Sequence, residues 1–208
     1  MLFIRYENWK SYLRYYPVTT LIVAANLVMF IILSLNGGST DPYTLLHYGA
    51  MVDIGPERTE WWRLVTSIFL HNGISHLLFN CFAILVFAPP LERLMGWARY
   101  AVLYILGGVV GNLVSMGVSG EAVYAGTVSV GASGAIYAVY GAFLYIALLQ
   151  RFKLDEGSRK TLYSLLLLGV ITTFAMPNIN WAAHLGGLIG GFFLYGLIVR
   201  IAPSRTMR

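Results

Sequence analysis

Charge is scarce in this chain. Only 11% of its 208 residues are Asp, Glu, Lys or Arg, and 58% are hydrophobic. A soluble domain carries about 25% charged residues, so a water-exposed globule is excluded and a chain built for lipid is indicated. Cysteine is nearly absent. Cys81 stands alone in an apolar run, which rules out an internal disulfide and leaves a small buried hydrophobe as its ordinary role. The 14 basic residues outnumber the 9 acidic ones, yet they are scattered between apolar runs and form no stripe with interleaved aromatic rings, so nucleic acid is not expected as a partner. No repeat, low-complexity run or Pro/Ser-rich linker divides the sequence, which is read as one membrane domain over residues 1–208. The first apolar run lacks both a sufficient leader and a small-residue cleavage site, so it is expected to be retained as a span.

What the chain does have is long apolar runs. Six segments approach the roughly 20 apolar residues a bilayer requires, near 18–35, 72–91, 100–118, 133–150, 161–176 and 181–201. The fold class expected is all-α, a polytopic bundle of six transmembrane helices. With the N-terminus inside, the inner loops and termini hold Arg5, Lys10, Arg14, Arg93, Arg99, Arg151, Lys153, Arg159, Lys160, Arg200, Arg205 and Arg208, and only Arg58 and Arg63 remain outside. That asymmetry predicts both termini in the cytoplasm. The first outer loop mixes Asp41, Asp53, Glu57 and Glu60 with Trp61 and Trp62, as expected of chain lying along a membrane surface with the tryptophans as interface anchors.

Polar residues inside lipid are costly and mark function by default. In this topology the second, fourth and sixth spans all run inward from the outer face. They carry His71, His76 and Asn80, Ser133 near the start of the fourth span, and His184 within a turn of Trp181. A hydroxyl, imidazoles and an amide thus arrive at one level, within about 10 Å of the outer boundary at a rise of about 1.5 Å per residue. Ser133, Tyr137 and Gly141 share a helix face, and Gly187 and Gly191 share one near His184. Small residues on both helices would bring Ser133 within reach of the imidazole. His76 and Asn80 are also one turn apart. His71 and His76, five apart, are expected to point away from each other, which argues against a metal site.

A serine at a helix start is by itself an N-cap or a packing residue. Beside a histidine it becomes an activatable nucleophile, with neutral His as the base and Asn or His donors for the oxyanion. No Asp or Glu lies in the last three spans. The expectation is therefore a Ser–His dyad in which Tyr137, packed on the ring, stands in for a third carboxylate. The same scarcity of charge within the spans argues against an ion or proton transporter. His47 is given no role. Glu92 is read as structural, holding loop amides or pairing with Arg93 or Arg99, and Asp155 and Glu156 as a solvated inner loop. The fifth span, ending at Met176-Pro177, is short for the bilayer and is read as a mobile element.

These residues resemble the rhomboid family of intramembrane serine proteases over nearly the whole chain. The match is carried by Trp62-Arg63, His71-x4-His76-x3-Asn80, Glu92-Arg93-Leu94-Met95-Gly96, Gly131-Ala132-Ser133-Gly134-x2-Tyr137, and Ala183-His184-Leu185-Gly186-Gly187 with Gly191. The resemblance implies a minimal six-helix form with nucleophile Ser133 and general base His184. It also implies an oxyanion hole from the Ser133 backbone N–H with His76 and Asn80, and Tyr137, Gly131 and Gly187 in support. It further implies a fifth-helix gate and hydrolysis of peptide bonds in or near transmembrane helices of membrane-protein substrates, without metal, cofactor or nucleotide. A short chain with no targeting leader is expected to suit a bacterial plasma membrane, with the site towards the extracytoplasmic side. The alternative is a non-catalytic rhomboid-like protein that binds membrane-protein clients, whose mark would be loss of the serine or the histidine.

Overall fold

The computed structural model describes residues 6–52, 55–118, 128–175 and 179–201. Arg5, Asp53, Met176, Pro177, Arg205 and Arg208, named above for charge or for a helix end, lie outside the described residues.

Helix starts and stops follow local chemistry. A short helix, α1 (Trp9–Tyr15), is capped by the Asn8 side chain and leads directly into α2 (Pro17–Leu35), with proline at its first position, where the missing N–H costs nothing. The α2 amides at Val18 and Thr19 are held by Glu92, which is almost fully buried: Val18 N donates to Oε1 at 2.9 Å, Thr19 N to Oε2 at 2.9 Å and Thr19 Oγ1 to Oε2 at 2.6 Å. Of the readings offered for Glu92, holding backbone amides is the one seen, at a helix N-terminus where a negative charge is also favoured by the dipole.

After α2 the chain forms α3 (Pro42–His47), capped by Asp41, a two-residue strand β1 (Met51–Val52) and the short α4 (Arg63–Thr66). Two glycines at positive φ, Gly73 at 82° and Gly96 at 81°, bound α5 (Ile74–Met95). The next helix, α6 (Trp97–Val118), begins at once and runs back antiparallel. Strand β2 (Val128–Ser129) pairs antiparallel with β1, Met51 opposite Ser129 and Val52 opposite Val128. It delivers the chain into α7 (Ser133–Leu149), which is followed by α8 (Glu156–Ala175) and α9 (Trp181–Ile201).

Helices occupy all six apolar stretches, with shifted ends. The second begins at Ile74 and runs to Met95, the third begins at Trp97, and the fifth begins at Glu156. The last shift corrects the reading of Asp155 and Glu156 as loop. Asp155 caps α8, accepting from Ser158 N at 3.0 Å and Ser158 Oγ at 2.6 Å, and Glu156 pairs with Lys160 one turn on. Among the described residues four helices are long and apolar enough to cross a membrane: α2, α5, α6 and α9. α7 is apolar but shorter.

The core is α7, buried along nearly its whole length, as befits a helix apolar on every side. Glycines let its neighbours approach to backbone contact. α9 runs parallel to it with Gly187 against Gly134 O and Gly191 against Ala138 O, and a Cβ on either glycine would strike those carbonyls. On its other side α9 sets Gly186 and Gly190 against the side chains of Val114 and Val110 of the antiparallel α6. Two interleaved small-x3-small ridges on one helix thus serve two partners. Large apolar side chains cover the outer surface: Leu21 and Leu35 on α2, Phe79 and Phe82 on α5, and Leu167 and Phe174 on α8 are all exposed, a distribution that lipid, and not water, can solvate.

Candidate active site

Three segments converge at the N-terminal ends of α5, α7 and α9. The approach to α7 is tied down first. Gly131 N donates to Ser67 O at 2.9 Å, and Gly131 takes φ +124°. A Cβ there would come within 2.7 Å of the His76 ring and 3.6 Å of Asn80 Nδ2. Glycine is required on both counts, and the same contacts place His76 and Asn80 against the Gly131-Ala132-Ser133 turn.

Ser133 is the first residue of α7 and is half-buried. Ile136 N–H donates to Ala132 O, so the amides at 133 to 135 precede the helical ladder and form the electropositive end of the helix dipole. From α9, whose Asn180 caps the helix by accepting from Ala183 N at 3.0 Å, comes His184, 8% exposed. The Gly134–Gly187 and Ala138–Gly191 contacts share one register, which sets Ser133 level with Gly186 and places His184 about half a turn, or about 3 Å, nearer the helix N-terminus. Helical side chains lean toward the N-terminus, so the Tyr137 ring reaches back to that level. It stacks on the imidazole with centroids 4.1 Å apart and planes 13° from parallel.

The Nδ1 edge of the imidazole meets α8. Thr173 Oγ1 lies 2.9 Å from His184 Nδ1 and 2.6 Å from Tyr137 Oη. Tyr137 Oη donates to Gly169 O at 2.6 Å, which also lies 2.8 Å from Thr173 Oγ1 and 2.9 Å from Thr172 Oγ1. Neither Thr173 nor Gly169 is marked in the sequence, where a threonine in an apolar helix reads as ordinary back-bonding to the preceding turn. Only the meeting of α8 with α7 and α9 brings them to the imidazole.

The structure corrects one relation. His71 and His76 do not point apart; their rings meet edge to face at 5.2 Å. His71 lies before α5, and the positive-φ Gly73 folds the chain back, so helical spacing does not apply to it. His71 is fully buried, yet no third His, Cys, Asp or Glu joins the pair into a metal-sized cluster among the described residues. His47 is exposed on α3.

Arg63 does more than carry charge in the outer loop. Almost fully buried, it donates from Nη1 to Leu46 O at 2.6 Å and Ala50 O at 3.0 Å, and from Nε to Glu60 at 2.6 Å, with its guanidinium 4.5 Å from the Trp62 ring. It staples the loop that carries β1, and through β1 the approach to Ser133. Trp62 is therefore partly a packing partner, whereas Trp61 stays exposed.

Comparison with known proteins agrees with this architecture. The rhomboid domain model matches residues 58–201. The chain is 40% identical to the putative rhomboid protease YdcA of Bacillus subtilis (strain 168) over 206 residues, 98% of this chain and all of that protein. It is 38% identical to the rhomboid protease GluP of the same organism over 175 residues, 84% of this chain but 33% of GluP. It is also 34% identical to RHOMBOID-like protein 5 of Arabidopsis thaliana over 163 residues, 77% of this chain and 51% of that protein. The chain thus spans the whole of one relative and between a third and a half of the others. With apolar helices long enough to span a bilayer, it is an integral, multi-pass membrane protein that belongs to the rhomboid family.

Proposed function

We propose that this chain is an intramembrane serine endopeptidase that cuts peptide bonds in or near the transmembrane helices of other membrane proteins, using a Ser133–His184 dyad. The observation that supports this best is the stacking of Tyr137 on His184, on the helix that opens with Ser133. It holds an imidazole near the level of a serine located at a helix N-terminus.

In this reading six helices cross the bilayer with both termini in the cytoplasm, and the dyad lies towards the extracytoplasmic side of a bacterial plasma membrane. A substrate helix enters beside α8 and unwinds to present a carbonyl. His184 takes the Ser133 proton as the Oγ–C bond forms. It then gives that proton to the leaving amine as the C–N bond breaks. Water repeats the sequence on the acyl-enzyme, with His184 returning the proton to Ser133. The Ser133 amide, Asn80 and His76 face the developing oxyanion, where each donor is worth about 10² to 10³ in rate. No metal, cofactor or nucleotide takes part.

Labelling of the purified protein by a fluorophosphonate, with Ser133→Ala and His184→Ala as controls, tests the assignment. Covalent labelling that both variants abolish is expected. A protein that never labels and cuts no membrane substrate would instead be a binder of membrane-protein clients.

A further inference from the structure

We propose that Thr173, on α8, is a positioning residue that holds His184 in its Nδ1–H tautomer and so makes the base depend on where α8 sits. The inference rests on the protease reading for its consequence, but not for its geometry.

Counting protons selects the tautomer. Four short contacts join Thr173 Oγ1, Tyr137 Oη, Gly169 O and His184 Nδ1, all at 2.6 to 2.9 Å. The two hydroxyls supply two protons, and Gly169 O supplies none. If Nδ1 were the unprotonated nitrogen, Thr173 would have to donate to it. Two oxygen–oxygen contacts would then be left without a proton between them. If Nδ1 carries the proton, it donates to Thr173 Oγ1, and Thr173 donates to Gly169 O. Tyr137 donates to Gly169 O, and only the Thr173–Tyr137 contact is left bare. Thr173 is almost fully buried, so water offers no ready relief, and burial makes each unserved contact costly.

The tautomer matters because a neutral imidazole has one lone pair. With the proton on Nδ1, Nε2 is free to accept from a serine hydroxyl. With the proton on Nε2, it is not. An aspartate enforces this choice in a Ser-His-Asp triad. Here the neutral Thr173 does so, backed by Gly169 one turn earlier on the same helix. Both lie on α8, whose exposed Leu167, Leu168, Ile171 and Phe174 leave it lightly packed. Displacement of α8 would release Nδ1, so the base is fully set only when α8 is docked against α7 and α9.

The test is ¹⁵N spectroscopy of histidine-labelled protein in micelles near neutral pH, with labelling rates by a fluorophosphonate measured in parallel. The chain has four histidines, and a His184→Gln variant identifies the signal of interest. The expected result is an Nδ1–H tautomer in the wild type, lost or mixed in Thr173→Val and recovered in Thr173→Ser. The labelling rate should fall about 10- to 100-fold in Thr173→Val, by analogy with outer partners that orient ligating histidines, and return in Thr173→Ser. An Nε2–H tautomer in the wild type overturns the proposal without any variant. So does a Thr173→Val protein that labels at the wild-type rate, or one that labels slowly with its tautomer unchanged. A wild-type protein that never labels defeats the protease reading instead, and the tautomer still decides the role of Thr173.

Discussion

The phenol ring of Tyr137 lies flat on the imidazole of His184, 4.1 Å between centroids. Both rings are buried, on parallel helices held together by Gly134 against Gly187. Stacking of this kind is worth about 0.5–1.5 kcal/mol beyond burial. On the proposed dyad, removing the ring with Tyr137→Leu is therefore expected to slow fluorophosphonate labelling by about 2- to 10-fold through a less ordered imidazole. Tyr137→Phe, which keeps the stack, should lose less. Equal rates for Tyr137→Leu and the wild type would show that the stack does not serve the base.

Gly131 tolerates no side chain. Its φ of +124° and the 2.7 Å approach that a methyl group there would make to the His76 ring act together, and backbone strain of this sort costs about 1–3 kcal/mol. Gly131→Ala is expected to insert normally and to lose most cleavage of a transmembrane test substrate, because either the turn before Ser133 or the His76 ring must shift. Retained cleavage, measured per mole of membrane-inserted protein, would count against this part of the proposed oxyanion site.

Much of this arrangement was legible because it follows periods and boundaries. Helix starts at Ser133 and Trp181 can be read from apolar runs, and with them the shared level of Ser133 and His184. What escaped reading depends on breaks in period or on distant acceptors. Gly73 at positive φ takes His71 off the helix, so helical spacing misplaced that residue alone. Arg63 bonds carbonyls at Leu46 and Ala50, and carbonyls have no sequence identity. Thr173 meets Nδ1 only through the packing of three helices. The Asp155 cap was missed because its polar first turn, Glu156 to Lys160, lies outside the apolar run that marks the span.

That cap predicts a pH response. The side-chain and backbone hydrogen bonds from Ser158 hold the Asp155 carboxyl at about 2, below its ordinary value of 3.8. A depressed carboxylate stabilises the fold above the unfolded value and loses that effect as pH falls through the folded one. The first turn of α8 is therefore expected to be intact above pH about 4 and to fray between about 4 and 2. Hydrogen exchange at residues 156–160 measures this, and Asp155→Asn should blunt the pH dependence. Protection that does not change over that interval would mean the cap contributes nothing to the helix start.

Glu92 gives the clearest separation of stability from chemistry. Its two oxygens accept from Val18 N, Thr19 N and Thr19 Oγ1 in a nearly dry site, joining the end of α5 to the start of α2. Hydrogen bonds to a charged group contribute about 1.5–3 kcal/mol each, and an amide in the same place turns one acceptor into a donor facing another donor. Glu92→Gln should therefore lower the thermal midpoint clearly in detergent. Glu92 stands 16 residues beyond His76 on one helix, about 24 Å away at about 1.5 Å per residue. The labelling rate of Ser133 in the folded fraction, measured well below the midpoint, is accordingly expected to stay at the wild-type value. An unchanged midpoint would show that the buried carboxylate does not hold α2. A slowed rate at full folding would show that this far end of α5 communicates with the serine.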